Sequence, residues 1–125
     1  MDRSILIVDD EFGLAEMLRE MLMEVGYQVA VAIHGRGALQ VLRDRRVDLV
    51  LTDIMMPVMD GPELARTIRA DPSLRTIPIV MMTSLPSAVP AEPGLYEGVL
   101  RKPFEPGMLL VVIEACLQGR DDLQH

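Results

Sequence analysis

The sequence predicts one α/β domain in which a parallel sheet is covered by helices on both faces. Three observations carry this. Short, wholly apolar runs rich in β-branched residues recur along the chain, and segments with apolar residues at helical spacing separate them. At 125 residues the chain has room for one domain of ordinary size, roughly 100–150 residues. A strand that is apolar on both sides needs cover on both faces, and the crossover helices of a parallel sheet supply it.

Ser4-Ile5-Leu6-Ile7-Val8 is the first such run and stops at Asp9-Asp10-Glu11, so a buried strand is expected to enter an acidic loop. Leu14, Met17, Leu18, Met21, Leu22 and Val25 then fall on one helical stripe, with Glu16, Arg19, Glu20 and Glu24 off it and Gly26 as the stop. Met17 and Met21 read as core-filling residues of that stripe. Residues 27–32 read as a strand, 37–43 as a short helix, and 48–52 as a strand that delivers Asp53. Pro62 marks the start of a helix whose Leu64, Ala65 and Ile68 share a face, and Asp71-Pro72 closes it. Residues 79–82 form a fourth strand ending at Thr83, and Val99-Leu100 a fifth that leads into Arg101-Lys102-Pro103. Leu109, Val112, Ile113 and Cys116 mark a closing helix. Residues 1–120 are taken as the domain and 121–125 as a C-terminal tail.

Composition narrows the function. The formal net charge of −7 has the wrong sign for a surface that neutralises phosphates, so direct nucleic-acid binding by this domain is not expected. A single cysteine cannot form an internal disulfide, and the sequence shows neither a leader pattern nor an apolar run of about 18 residues; the expectation is a cytoplasmic protein that does not insert in a membrane. No Trp, two Tyr and two Phe leave little with which to wall a flavin or stack bases.

In a doubly covered parallel sheet, ligands bind beyond the carboxyl ends of the strands. The strand ends here bring Asp9 and Asp10, Asp53, Thr83 and Lys102 to one edge. Three crowded carboxylates repel one another and would raise a pKa or recruit a divalent cation, and hard oxygen ligands favour magnesium or calcium. Magnesium is the better fit, because it takes one or two protein carboxylates and completes its octahedron with water and phosphate oxygens. Taken singly, each residue has an ordinary reading: a helix cap for Asp9 and Asp10, a turn residue for Asp53, a strand-end cap for Thr83, a solvated charge for Lys102. Their joint placement favours a site. His34, in a glycine-flanked turn, reads as a loop residue and not a catalytic base.

The motifs carry a resemblance. Ile5-Leu6-Ile7-Val8-Asp9-Asp10-Glu11, the loop Asp53-Ile54-Met55-Met56-Pro57-Val58-Met59-Asp60-Gly61, and Lys102-Pro103-Phe104 are similar to the opening strand, phosphoacceptor loop and closing signature of the receiver domains of bacterial two-component response regulators. The resemblance implies a five-stranded sheet of order 2-1-3-4-5 with the flavodoxin-like topology. It implies a phosphoacceptor Asp53 charged from a sensor histidine kinase or a histidine phosphotransfer protein. Mg2+ would be held by Asp10, Asp53, Asp9 through water, and the Met55 backbone carbonyl. Thr83 and Lys102 would meet phosphoryl oxygens, and the bond before Pro103 is expected to be cis. Such a domain assists its own phosphorylation and is not an enzyme acting on a separate substrate; its output partner is unknown, and a homodimer is one form the output could take.

Several positions depart from the family. The position three residues before Lys102, usually aromatic there, is Val99, with Tyr96 nearby but out of register. The segment between Thr83 and Lys102 is a few residues short and contains Pro86, Pro90 and Pro93. A proline in a helix interior costs about 3 kcal/mol, so the fourth helix is expected to be short, distorted or missing and the output surface to be remodelled. Met55 and Leu85 occupy positions where polar residues often affect attack of water on the acyl phosphate.

Three rival readings remain from the residues alone. A small Mg-dependent phosphatase with an aspartyl-phosphate intermediate would need an Asp-x-Asp pair after the first strand. A flavin module would need aromatic walls. A receiver-shaped interaction module that is never phosphorylated would not need the full acidic set.

Overall fold

In a computed structural model that describes residues 2–124, the apolar runs become the strands of one parallel sheet. The elements follow in the order β1 (Ser4–Val8), α1 (Phe12–Val25), β2 (Gln28–Ala32), α2 (Gly35–Asp44), β3 (Leu49–Asp53), α3 (Gly61–Ala70), β4 (Ile79–Thr83), β5 (Gly98–Arg101) and α4 (Pro106–Gln124). The strand order is β2-β1-β3-β4-β5, as expected.

Alternation along each strand sends successive side chains to opposite faces. Ile5, Ile7, Leu49, Leu51, Val80, Met82 and Leu100 pack under α1 and α4 through Ala15, Leu18, Leu22, Leu109, Ile113 and Leu117. Leu6, Val8, Val50, Ile79 and Met81 pack on the other face against Ala38, Leu42, Leu64, Ala65 and Ile68 of α2 and α3. Burial of each large aliphatic side chain in these layers stabilises by roughly 1.5–3 kcal/mol. Met17 corrects the sequence reading: it lies at the border of the α1 stripe and is 60% exposed. No helix among the described residues is long and apolar enough to cross a membrane.

Local chemistry sets the element ends. Gly26 closes α1 at φ 115°, and the Tyr27 N–H donates to the Leu22 carbonyl at 3.1 Å, which holds Tyr27 in the helix cap and starts β2 one residue later than expected. α2 begins at Gly35, ahead of the expected Gly37, because His34 caps it: its Nδ1 accepts from the Gly37 N–H at 2.9 Å. α4 runs to Gln124, so residues 121–124, expected as a tail, are helical, and residue 125 lies outside the described residues. Arg120 anchors this end, its Nη1 donating to the carbonyl of the buried Asp48 at 3.0 Å and to its Oδ1 at 3.2 Å, while Arg3 pairs with Asp121.

A regular fourth crossover helix is missing, as the prolines predict. One 3-10 turn, Pro86–Ala88, is followed by irregular chain with a turn at Pro93-Gly94, where Gly94 has φ 76°, up to β5. This strap is pinned to α3. Arg66 Nε donates to both oxygens of Glu92 at 2.8 and 3.2 Å, and Arg69 donates to the Gly94 carbonyl at 2.9 Å and to Glu97 Oε1 at 2.6 Å. The Tyr96 hydroxyl donates to the Pro90 carbonyl at 2.9 Å, while Leu95 is buried in the core. Side-chain hydrogen bonds and apolar contacts thus hold a segment whose prolines remove backbone donors.

Candidate functional site

The strand register assembles the site. Val8 lies level with Thr52 in the β1–β3 pair and Asp53 level with Met82 in the β3–β4 pair. Asp9 and Asp53 therefore leave neighbouring strands side by side. Thr83 pairs with Arg101, and the Lys102 N–H donates to the Thr83 carbonyl at 2.8 Å, which sets Lys102 at the same edge. The Lys102–Pro103 peptide bond is cis.

Asp9, Asp10 and Asp53 each offer a carboxylate oxygen, all lying within 4.8 Å of one another. Lys102 Nζ reaches Asp53 Oδ1 at 3.1 Å and Asp9 Oδ2 at 3.4 Å. Burial raises the Asp53 carboxyl above its ordinary pKa; the hydrogen bond and charge of Lys102 oppose this, and the charges of Asp9 and Asp10 add to it. Burial alone would lower the Lys102 pKa, but its hydrogen bond to Asp53 and the charges of Asp9 and Asp53 outweigh that and raise it. One cation against three carboxylates leaves an anionic cleft of hard oxygens, a donor set suited to a hard divalent cation.

The three acids differ in what they have left to offer. Asp9 is fully buried; its Oδ1 accepts from the Glu11 N–H at 2.9 Å and its Oδ2 from Lys102. Both of its oxygens are engaged by the protein, which suits contact with an ion through water better than direct ligation. It does not cap α1, whose N-cap Glu11 makes no side-chain capping bond. Asp10 is exposed, and the Asp53 side chain is 16% exposed at the cleft floor.

Thr83 is buried beside the cluster, but its hydroxyl is turned into its own loop: it donates to the Leu85 carbonyl and accepts from the Leu85 N–H, both at 2.9 Å. Met55 follows Asp53 by two residues and is 61% exposed, and Leu85 is 50% exposed. Met56 is buried and Met59 half-buried.

Two supports of Asp53 were not singled out from the sequence. The Thr52 hydroxyl donates to the Asp53 carbonyl at 2.9 Å. At Gly61 a Cβ would lie 2.4 Å from that same carbonyl oxygen. Asp60, which caps α3 by accepting from the Glu63 N–H at 2.9 Å, brings Gly61 into this approach, and the Gly61 N–H donates to the Ile54 carbonyl at 2.8 Å. The signal was the Asp-Gly pair ahead of Pro62: a cap, a residue without a side chain, then a helix-starting proline. Within the same loop Val58 has φ 70°, a left-handed conformation that costs a β-branched residue roughly 1–2 kcal/mol.

Comparison with known proteins agrees with this geometry. The family described as response regulator receiver domain matches residues 5–114. The DNA-binding response regulator MtrA of Mycobacterium tuberculosis (strain ATCC 25618 / H37Rv) is 41% identical over 125 residues, covering 98% of this chain and 54% of that protein. The transcriptional regulatory protein GltR of Pseudomonas aeruginosa is 37% identical over 119 residues, covering 93% and 49%. The chain thus spans about half the length of the curated relatives it matches. Among solved structures, a putative response regulator from Chloroflexus aurantiacus J-10-fl superposes with a TM-score of 0.88 at 35% identity, covering 94% of this chain and 99% of that one. The chemotaxis response regulator CheY4 of Vibrio cholerae gives 0.83 at 30%, covering 93% and 99%.

Proposed function

Because the chain belongs to the response regulator receiver domain family of two-component signalling, we propose that Asp53 is its phosphoacceptor and that Mg2+ is the cation its acids hold. The observation that carries this reading is the convergence of Asp9, Asp10 and Asp53 within 4.8 Å, with Lys102 3.1 Å from Asp53. In the reaction, a carboxylate oxygen of Asp53 attacks the phosphorus of a phosphohistidine in line with the P–N bond. The O–P bond forms as the P–N bond breaks, and the bonding pair leaves on the imidazole nitrogen. Little covalent work falls to the protein beyond alignment and charge placement. Lys102 supplies a cation to the arriving phosphoryl oxygens, and the Thr83 hydroxyl would exchange the Leu85 carbonyl for one of them. Asp10, Asp53 and the Met55 carbonyl would hold the ion directly, with Asp9 acting through water. When bound, Mg2+ supplies positive charge to the phosphoryl oxygens.

The donor is a sensor histidine kinase or a histidine phosphotransfer protein. The domain assists its own loading and unloading and turns over no separate substrate. Its output goes to a protein partner, a second copy of the chain included, through a face altered by the strap. The net charge of −7 weighs against direct contact with nucleic acid.

The test is intact mass after incubation with phosphoramidate. The expected outcome is one added phosphoryl group with Mg2+ and none with a chelator; an unmodified protein with Mg2+ would refute the reading. A second expectation concerns lifetime. The apolar side chains of Met55 and Leu85 offer no polar group to orient an attacking water, so the acyl phosphate should persist. Met55→Asn is expected to speed autodephosphorylation about tenfold, an effect of ~1.4 kcal/mol on the barrier. An unchanged decay rate would show that water is not oriented from this position.

A further inference from the structure

The strap in place of the fourth crossover helix carries a motif that the phosphoryl chemistry does not use. Pro90 and Pro93 stand three positions apart in Val89-Pro90-Ala91-Glu92-Pro93. A proline fixes its own φ and confines the residue before it to extended or polyproline II backbone. Val89, ahead of Pro90, has φ −71° and ψ 121°, within that region. Beyond Glu92, Gly94 has φ 76° and the Leu95 N–H donates to the Glu92 carbonyl at 3.4 Å. This is the pattern of a type II turn, whose first central residue, here Pro93, has the same extended backbone. Among the described residues the Ala91 and Glu92 N–H groups make no backbone hydrogen bond, as in a polyproline II helix, which has none of its own. Such a helix turns once in three residues, so Pro90 and Pro93 fall on one edge.

This ridge is both held and presented. The Tyr96 hydroxyl fixes the Pro90 carbonyl at 2.9 Å, Arg66 Nε holds both oxygens of Glu92, and the buried Leu95 anchors the far end. Ala91, Glu92, Pro93 and Gly94 are nevertheless exposed. Glu92 is the one charged residue between positions 86 and 96, and its pairing with Arg66 leaves the outward surface close to neutral. A segment already fixed in its bound shape loses less entropy on docking than a loose one.

We propose that Val89–Pro93 is a docking ridge for a partner protein with an aromatic-lined groove, the kind of surface that reads polyproline II segments. A near-neutral edge of proline rings suits aromatic faces better than it suits a charged patch. A second copy of this chain is a poor reader, because its two Phe and two Tyr are dispersed: Phe12 opens α1, Tyr27 precedes β2, Phe104 follows β5, and Tyr96 already belongs to the strap. The inference rests on the receiver reading only in taking this contact as an output; the ridge itself needs no phosphoryl group.

The experiment places a photo-crosslinking benzoylphenylalanine at Ser87, exposed beside the ridge, in the full chain and irradiates it in a lysate of the source organism, with the crosslinked partner peptide mapped by mass spectrometry. The mapped partner is then purified and its affinity for the chain measured. The crosslink is expected beside aromatic residues of the partner and should be suppressed by an oligoproline decamer. Pro90→Ala and Pro93→Ala are each expected to weaken binding about tenfold. Ala91→Lys, at an exposed position where the fold is undisturbed, should do the same while loading from phosphoramidate at the wild-type rate, which separates this proposal from the receiver reading. Absence of any crosslink would overturn the proposal. So would a crosslink to a second copy of the chain or to a surface without aromatic residues, or unchanged affinity in Ala91→Lys.

Discussion

Asp53→Asn is expected to take up no phosphoryl group from phosphoramidate and Mg2+ under conditions that load the wild-type chain. The substitution keeps the shape of the side chain and removes the anionic oxygen that forms the new bond, so it separates chemistry from fold. Neither neighbouring acid is a ready substitute. Both oxygens of Asp9 are already bonded, to the Glu11 N–H and to Lys102. Asp10 is exposed and lacks the 3.1 Å contact with Lys102 Nζ that Asp53 has. Persistent labelling of Asp53→Asn would move the acceptor to Asp10.

The same variant carries a pH signature. Burial holds the Asp53 carboxyl above its ordinary pKa, so the native state binds this proton more tightly than the unfolded chain does. Its contribution to stability is then present at low pH and is lost as pH rises from the ordinary carboxylate value through the raised one. Without divalent cation, wild-type stability should fall across that window, and Asp53→Asn should not show this part of the fall. Loading should run the other way and increase with pH through the window, because only the ionised carboxylate attacks. Denaturant midpoints and loading rates over one pH series read both.

What the sequence made legible follows from how local each signal is. The strands could be read because each is a continuous apolar run, and the acids because each stands where such a run ends; register then brings Asp9 beside Asp53 without further information. The loss of the fourth helix could be read because Pro86, Pro90 and Pro93 act on their own backbone. The pieces that replace it could not. Arg66 and Arg69 look like ordinary solvated charges of α3, and their partners Glu92, Gly94 and Glu97 lie more than twenty residues away. His34 reads as a loop residue from its glycine-flanked turn, and its capping bond to Gly37 escapes that reading because histidine is uncommon in the role. Met17 misled for a related reason: a helical stripe gives the direction of a side chain but not how far the opposing layer extends.

Gly61→Ala should damage fold and site together, although it adds a single methyl group. Its Cβ would lie 2.4 Å from the Asp53 carbonyl oxygen, 3.0 Å from Ile54 Cα and 3.2 Å from the Asp53 carbonyl carbon. All three are backbone atoms, so no flexible side chain can yield, and either the first turn of α3 retreats or the Asp53 peptide shifts. Overpacking of this kind costs about 1–3 kcal/mol, and a rigid opponent puts it toward the upper end. The gain in helix propensity from Gly to Ala is at most about 1 kcal/mol, so a net loss of about 2 kcal/mol in denaturant unfolding is expected. The shift falls on the residue that carries the chemistry, and a displacement near 1 Å is enough to slow a positioned reaction by about a hundredfold; loading from phosphoramidate should drop by that order. Gly119→Ala is the control, since nothing lies within 4 Å of its added Cβ in the interior of α4, and it should be neutral or stabilising by about 0.5–1 kcal/mol. Equal behaviour of the two variants would mean that the contact between Gly61 and the Asp53 backbone does not position the acceptor.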